Sequence, residues 1–122
     1  MTNILLVDDD AAVNFLNKFL LTDSGISASI SVTTNGLEAL NSIKESRRCP
    51  DVIFLDINMP VMDGLGFLEA FKEYPEYYPQ AKVYILTSSL RESDKDKASS
   101  YACVADYLEK PLTAEMIEKI FS

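Results

Sequence analysis

Residues 51–64 have the sequence DVIFLDINMPVMDG, and the architecture of the whole chain can be worked out from them. Residues 52–55 are all apolar and include β-branched and aromatic side chains, which is typical of a strand buried on both faces. The strand stops at Asp56, because Pro60 lacks a backbone donor and an Asp-Gly turn dipeptide closes the stretch. We therefore expect Asp56 at the carboxyl end of a central strand, where open α/β sheets bind ligands.

Similar strand patterns occur at four other places, and each is followed by a helical pattern; they are residues 4–7, 26–33, 82–86 and 104–108. Five successive βα units imply a parallel sheet with right-handed crossovers and helices on both faces. The second of these strands alternates apolar and polar residues, as expected of an edge strand with one wet face. The sequence therefore predicts a doubly wound, five-stranded parallel α/β sheet of order 2-1-3-4-5, the flavodoxin-like fold, with residues 1–122 forming one domain.

Three helices and one loop carry more specific expectations. Apolar residues at i, i+3, i+4 and i+7 predict that the first helix has an apolar face; they are Ala12, Phe15, Leu16 and Phe19. Segment 91–100 is helical by composition but has almost no apolar stripe, with Leu90, Ala98 and Tyr101 as its apolar residues. Thr113 is the predicted N-cap of the last helix. The tyrosines of loop 74–79 could either plug the sheet or lie exposed.

Composition limits the functional classes. The 122-residue chain has a net charge of −8 and no basic run, so direct binding to nucleic acid or to an anionic membrane surface is not expected. No apolar run approaches the ~20 residues that cross a bilayer, and we expect no leader peptide before the first strand. Cys49 and Cys103 are far apart in a chain without histidine, which indicates reduced thiols in a cytoplasmic protein.

Polar side chains end four of the predicted strands. Asp8 and Asp9 follow the first strand, Asp56 the third, Thr87 the fourth and Lys110 the fifth. Each has an ordinary explanation alone: a helix cap, a hydroxyl bonded to its own backbone, or a solvated lysine. In the order 2-1-3-4-5 these four strands are neighbours, so all five side chains are expected to converge on one cleft.

The chemistry of this cluster favours phosphoryl transfer. Three clustered carboxylates repel one another and are stable together only with a cation. Oxygen ligands without histidine or cysteine indicate Mg²⁺, or Mn²⁺ in its place. Such an ion beside a lysine and a hydroxyl is suited to a phosphoryl group. A carboxylate oxygen of Asp56 is then the expected nucleophile, and the product is an acyl phosphate.

With these motifs the chain resembles the receiver domain of two-component response regulators, of the single-domain type, over essentially its whole length. The matching motifs are Val7-Asp8-Asp9, Asp56 before Met59-Pro60 and Asp63-Gly64, Thr87-Ser88, and Lys110-Pro111. The resemblance implies that a sensor histidine kinase or a histidine phosphotransfer protein phosphorylates Asp56. It also implies a Mg²⁺ site made by Asp8, Asp9, Asp56 and the main-chain carbonyl of Asn58, with Asp9 the more direct ligand of the first pair.

The resemblance further implies roles in signalling. Thr87 and Lys110 would contact the phosphoryl oxygens, and Thr87 and Tyr107 would act as the switch. The fourth helix, fifth strand and fifth helix would form the face that signals to a protein partner. The Lys110-Pro111 bond is expected to be cis. Asp10 matches no required role and is expected to cap the first helix.

Three alternatives stay open at this point. A haloacid-dehalogenase-type phosphatase would share the Asp nucleophile and Mg²⁺, but it needs an acid two residues after the nucleophile, where this chain has Asn58. A flavodoxin would need a first loop that accepts FMN phosphate, and the acidic loop here repels it. A degenerate receiver would serve only as a scaffold. Neither Asn58 nor Ser89 is an acid or a base, so we expect no strong general-base help for hydrolysis of the acyl phosphate. The resemblance implies Mg²⁺-dependent self-phosphorylation and self-dephosphorylation rather than enzymatic turnover.

Overall fold

Strands and helices alternate along the chain in the computed structural model, which describes residues 1–78, 80–89 and 91–122. Within those ranges the strands are β1 (Thr2–Val7), β2 (Ala28–Thr33), β3 (Val52–Leu55), β4 (Lys82–Thr87) and β5 (Val104–Glu109). The helices are α1 (Ala11–Asp23), α2 (Gly36–Ser46), α3 (Gly64–Phe71), α4 (Glu92–Ser99) and α5 (Ala114–Phe121). Pro79, at the end of the tyrosine loop, and Leu90, before α4, lie outside the described residues.

The strands form one parallel sheet in the order β2-β1-β3-β4-β5, so the predicted fold and strand order are confirmed. In register, Val7 of β1 pairs with Leu55 of β3. In the next pairing Leu55 lies opposite Ile85 of β4. The strands therefore finish at nearly the same level, and the polar residues that follow them meet at one edge.

Alternate residues of each central strand pack into two separate hydrophobic cores, one on each face of the sheet. On one face Leu5, Val7, Ile53 and Leu55 pack among buried residues of α2, α3 and α4. On the other face the alternating partners pack with residues of α1 and α5; the buried members are Ile4, Leu6, Val52, Phe54, Leu21, Leu86, Leu112 and Ile117. A strand buried on both faces needs apolar residues at every position, which explains the uninterrupted apolar runs of β1 and β3.

Helix α1 forms as predicted, but its rotation differs from the expectation. The residues of the predicted apolar face are exposed: Phe15 by 72%, Leu16 by 57% and Phe19 by 58%. The buried residues are instead Asn14, Asn17 and Leu21. The physical reason lies at the start of the helix. The side chain of Asn14 donates a hydrogen bond to the Asp8 carbonyl in the preceding turn, and this bond fixes which side of the first helical turn faces the sheet.

The other local expectations agree with the structure. Asp10 caps α1 by accepting hydrogen bonds from the main-chain N–H groups of residues 12 and 13, and Thr113 caps α5. In α4 only Ala98 is buried, so little apolar area holds this helix to the sheet. The tyrosines of the 74–79 loop that the structure describes are half-buried and pack against the core.

Candidate functional site

The β1–α1 turn brings two carboxylates to the end of the sheet. Asp8 follows β1 directly and is 4% exposed, whereas Asp9 is exposed. One oxygen of Asp8 accepts a 2.9 Å hydrogen bond from the main-chain N–H of Asp10, which tightens the turn. The turn therefore carries one buried and one solvent-facing carboxylate in adjacent positions.

Asp56 takes its predicted place at the end of β3. It is 6% exposed, and its Oδ1 accepts a 2.8 Å hydrogen bond from the main-chain N–H of Ile57. Gly64 begins α3 against this backbone: a Cβ there would collide with the Asp56 carbonyl oxygen. A residue with a side chain would push α3 away from the strand end, so glycine is required for the close approach.

Lys110 joins the two buried carboxylates. Its Nζ lies 2.6 Å from Oδ2 of Asp8 and 3.1 Å from Oδ2 of Asp56. The lysine follows β5 and reaches this position because its main-chain N–H bonds to the carbonyl of Thr87, at the end of β4. The predicted convergence of Asp8, Asp56 and Lys110 is thus present, and the Lys110-Pro111 bond is cis as expected.

The charges of the cluster are not balanced by the lysine alone. Carboxylate oxygens of Asp8, Asp9 and Asp56 all lie within 4.8 Å of one another. One ammonium faces three carboxylates, so a divalent cation held by oxygen atoms suits the remaining charge. The donor set of this acidic group fits Mg²⁺ or Mn²⁺, and it lacks the nitrogen and sulfur ligands that zinc prefers.

Burial and pairing act in opposite directions on the ionisable groups. Burial raises the pKa of Asp8 above its ordinary value, although the hydrogen bond from Lys110 opposes this shift. Burial alone would lower the pKa of Lys110, but its hydrogen bonds to Asp8 and Asp56 outweigh burial and raise it. The lysine is therefore held in its charged form between the two carboxylates.

The switch residues predicted from the sequence lie beside this cluster. Thr87 is completely buried, and its hydroxyl accepts a 3.2 Å hydrogen bond from the main-chain N–H of Ser89. The half-buried Tyr107 donates a 2.9 Å hydrogen bond to the carbonyl of Ser89. Ser89 therefore links Thr87 to Tyr107, a connection that the sequence motifs do not reveal, and Ser89 also bonds Asp94 of α4.

Two further residues complete the description of the site. Asn58 is exposed in the loop after β3, and a role for its main-chain carbonyl as a metal ligand stays a prediction. Asn14 was not predicted: it is buried in α1, and its side chain donates a 2.8 Å hydrogen bond to the Asp8 carbonyl. No sequence pattern marked it, because an asparagine opposite an apolar stripe is expected to face solvent.

The remaining expectations concern redox state and membranes. Cys49 and Cys103 are both free thiols. Among the helices that the structure describes, none has the length and apolar character needed to cross a bilayer.

Comparisons with known proteins point to one family. A family model described as the response regulator receiver domain matches residues 4–122. Protein-glutamate methylesterase/protein-glutamine glutaminase 1 of Methanospirillum hungatei is 33% identical over 121 residues, which cover 98% of this chain and 34% of that protein. The chain thus spans about a third of the length of this curated relative.

Solved structures agree with the family match. A two component response regulator from Cytophaga hutchinsonii has a TM-score of 0.88 and 34% identity, with 99% of this chain and 94% of that chain covered. The Mn²⁺-bound form of response regulator Rcp1 has a TM-score of 0.82 and 28% identity, with 98% of this chain and 89% of that chain covered. These matches do not support the haloacid-dehalogenase-type phosphatase.

Proposed function

Because this chain belongs to the response regulator receiver family of two-component signal transduction, we propose that Asp56 is the residue that accepts the phosphoryl group. The observation that carries this proposal is the bridge of Lys110 between Asp8 and Asp56, with Asp9 beside them. This cluster of side chains supplies a carboxylate nucleophile, a fixed positive charge and an acidic group for a divalent cation at one edge of the sheet.

Receiver domains bind Mg²⁺ at an acidic cluster, and here the proposed ligands are Asp8, Asp9, Asp56 and the main-chain carbonyl of Asn58. Mn²⁺ would bind the same oxygen atoms. When bound, the cation neutralises the phosphoryl oxygens and the carboxylates so that they can approach each other. Of the three carboxylates, Asp9 is the exposed one, whereas Asp8 and Asp56 are buried.

The chemical step proposed for Asp56 is a displacement at phosphorus. A carboxylate oxygen of Asp56 forms a bond to phosphorus, and the bond between phosphorus and the imidazole nitrogen of a phosphohistidine breaks. The electron pair of the broken bond goes to that nitrogen, and an acyl phosphate is left on Asp56. Lys110 then moves its positive charge from the carboxylates to the new phosphoryl oxygens.

Signalling would follow from the rearrangement of Thr87. Phosphorylation adds about −1.5 to −2 charges, which attract the Thr87 hydroxyl away from the N–H of Ser89. The main-chain carbonyl of Ser89 also accepts a hydrogen bond from the Tyr107 hydroxyl. Movement of the loop after β4, which contains Ser89, would therefore weaken this bond and free the Tyr107 ring. Helix α4 contributes only Ala98 to the core, so its displacement requires little free energy. We place the output face on α4, β5 and α5.

The natural phosphodonor is proposed to be a protein that docks over the mouth of the site. Receiver domains take phosphate from histidine kinases or phosphotransfer proteins, and such contacts bury about 800 Å² on each partner. Two of the exposed apolar residues of α1, Leu16 and Phe19, line a groove that continues to Lys110 and Pro111. This continuity supports docking of the phosphodonor on Phe15, Leu16 and Phe19.

The chain is proposed to signal rather than to turn over an external substrate. Neither Asn58 nor Ser89 offers an acid or a base to a water molecule, so self-dephosphorylation is left without strong general-base help. The free thiols fit a reducing compartment, and the cytoplasm is the proposed location. The downstream partner is proposed to be a protein, because the net charge of −8 disfavours nucleic acid and anionic lipid.

The experiment that tests this function is intact-mass spectrometry after incubation with acetyl phosphate. With Mg²⁺ the chain is expected to gain one phosphoryl group, and without a divalent cation it is expected to gain almost none. Asp56→Asn removes the nucleophile and abolishes the gain, whereas Asp63→Asn, which changes an acid on the neighbouring loop, keeps it. Equal labelling of Asp56→Asn and wild type would contradict the proposal.

A further inference from the structure

Asn14 occupies an unusual position for an amide. It is 3% exposed, and its Nδ2 donates a 2.8 Å hydrogen bond to the main-chain oxygen of Asp8. Only the NH₂ end of the amide can face a carbonyl oxygen, so Oδ1 must point the other way. Among the described residues Oδ1 has no hydrogen-bond partner, although it is buried. A buried acceptor without a partner costs stability, so packing alone does not explain this amide.

Asn14 is bonded to the chain on both sides of Asp9. Its side chain holds the carbonyl of Asp8, and its main-chain N–H donates a 3.1 Å hydrogen bond to the carbonyl of Asp10. Any residue except proline could make the main-chain bond, because that bond opens the helix in the usual way. Only the side chain supplies the bond to Asp8, which fixes the plane of the Asp8–Asp9 peptide.

Resting on the proposed function, we infer that Asn14 is a positioning residue for the divalent cation. By holding the peptide between Asp8 and Asp9, it keeps both carboxylates aimed at the same point. Carboxylates on an unrestrained turn would have to be ordered when the cation binds, and that ordering weakens affinity. Partners that orient metal ligands act in this way even though they do not touch the ion.

The same bond accounts for the rotation of α1. With the side chain of residue 14 turned toward the sheet, residues 15, 16 and 19 are turned toward solvent. The helix therefore exposes aromatic area and buries an amide at the position that steadies the acidic turn. Both departures from ordinary helix packing then follow from one requirement, the geometry of the cation site.

The test compares Mg²⁺ affinity by isothermal titration calorimetry in wild type, Asn14→Leu and Asn17→Leu. Asn17 is a matched control, since it is 6% exposed on the same helix. No hydrogen bond joins its side chain to residues 8–10, all of which the structure describes. Asn14→Leu is expected to bind Mg²⁺ about tenfold more weakly, and Asn17→Leu is expected to bind like wild type. Metal-free Tm values verify that each variant folds.

Other outcomes have definite meanings. Wild-type affinity in Asn14→Leu would overturn the inference, and so would equal losses in both variants, since these would indicate general loosening of α1. If Asn14→Leu does not fold, Asn14→Ala removes the same amide without adding volume and is expected to show the same loss. A wild-type chain that binds no Mg²⁺ would overturn the proposed function itself, and with it the inference.

Discussion

The phenol of Tyr107 donates a 2.9 Å hydrogen bond to the main-chain carbonyl of Ser89. Tyr107→Phe removes this bond, and we expect the free energy of unfolding to fall by about 1 kcal/mol. Because the proposed switch breaks the same bond, the difference between Tyr107→Phe and wild type should shrink when Mg²⁺ and beryllofluoride, a phosphoryl analogue, are present. Urea unfolding measures both differences. A difference that is the same with and without the analogue would argue against Tyr107 as the switch.

Lys110 is expected to stabilise the metal-free protein through its two carboxylate contacts. Lys110→Met leaves Asp8 and Asp56 buried without a cation, so the free energy of unfolding should fall by about 2 kcal/mol in the presence of EDTA. Mg²⁺ should restore more stability to the variant than it adds to wild type, because it replaces the missing charge. Lys119→Met, which changes an exposed lysine of α5, is the control. Equal unfolding free energies for Lys110→Met and wild type in EDTA would contradict the assigned role.

A hydrogen bond between α3 and the segment after α4 should make stability depend on pH. Tyr101 donates a 2.6 Å hydrogen bond to Glu69, and this bond raises the pKa of Tyr101 to about 12. Hydrogen bonds from Lys72 and Tyr101 lower the pKa of Glu69 below its ordinary value. The hydrogen bond between Tyr101 and Glu69 therefore contributes to the free energy of unfolding at neutral pH. This contribution is lost as pH falls through the lowered pKa of Glu69, and it is also lost as pH rises through the raised pKa of Tyr101.

Urea unfolding of Tyr101→Phe at neutral and acidic pH tests this pH dependence. The variant should be less stable than wild type at neutral pH, and the difference should close in acid, once Glu69 is protonated. Tyr77→Phe is the control, because within the described part of the chain the Tyr77 hydroxyl makes no hydrogen bond. A deficit of Tyr101→Phe that persists unchanged in acid would show that the tyrosine stabilises by packing instead.

The exposed face of α1 should matter for the phosphodonor and not for the chemistry. The donor in this test is a histidine kinase that phosphorylates the wild-type chain. The double variant Phe15→Ser/Phe19→Ser should slow phosphotransfer from this kinase about tenfold, which corresponds to about 1.4 kcal/mol of contact energy. Labelling by acetyl phosphate should be unaffected, because a small donor needs no docking surface. Leu37→Ser, an exposed apolar residue of α2, is the control. Equal slowing with both donors would place the defect in the site rather than in docking.

The sheet and the site could be predicted because both depend on strand ends. Uninterrupted apolar runs at residues 4–7 and 52–55 require burial on two faces, and in a parallel sheet the polar residues that follow must meet at one edge. The positions of Asp8, Asp9, Asp56 and Lys110 along the chain are therefore enough to predict that their side chains lie together.

The rotation of α1 could not be predicted in the same way. The apolar spacing of Phe15, Leu16 and Phe19 satisfies the usual helical pattern, but a pattern does not contain the turn that anchors the helix. The bond from Asn14 to the Asp8 carbonyl is a side-chain contact with the backbone, which residue type and spacing do not reveal. The Ser89 link between Thr87 and Tyr107 escaped prediction for the same reason, since it passes through main-chain atoms.

In the proposed mechanism the phosphoryl group is carried as an acyl phosphate on Asp56. The most direct measurement is reduction of the phosphorylated chain with borohydride, which converts an aspartyl phosphate to homoserine, followed by peptide mass spectrometry. We expect homoserine at position 56 and aspartate at positions 8 and 9. Homoserine at either of those positions, or phosphate found on a serine, threonine or tyrosine with position 56 unchanged, would contradict it.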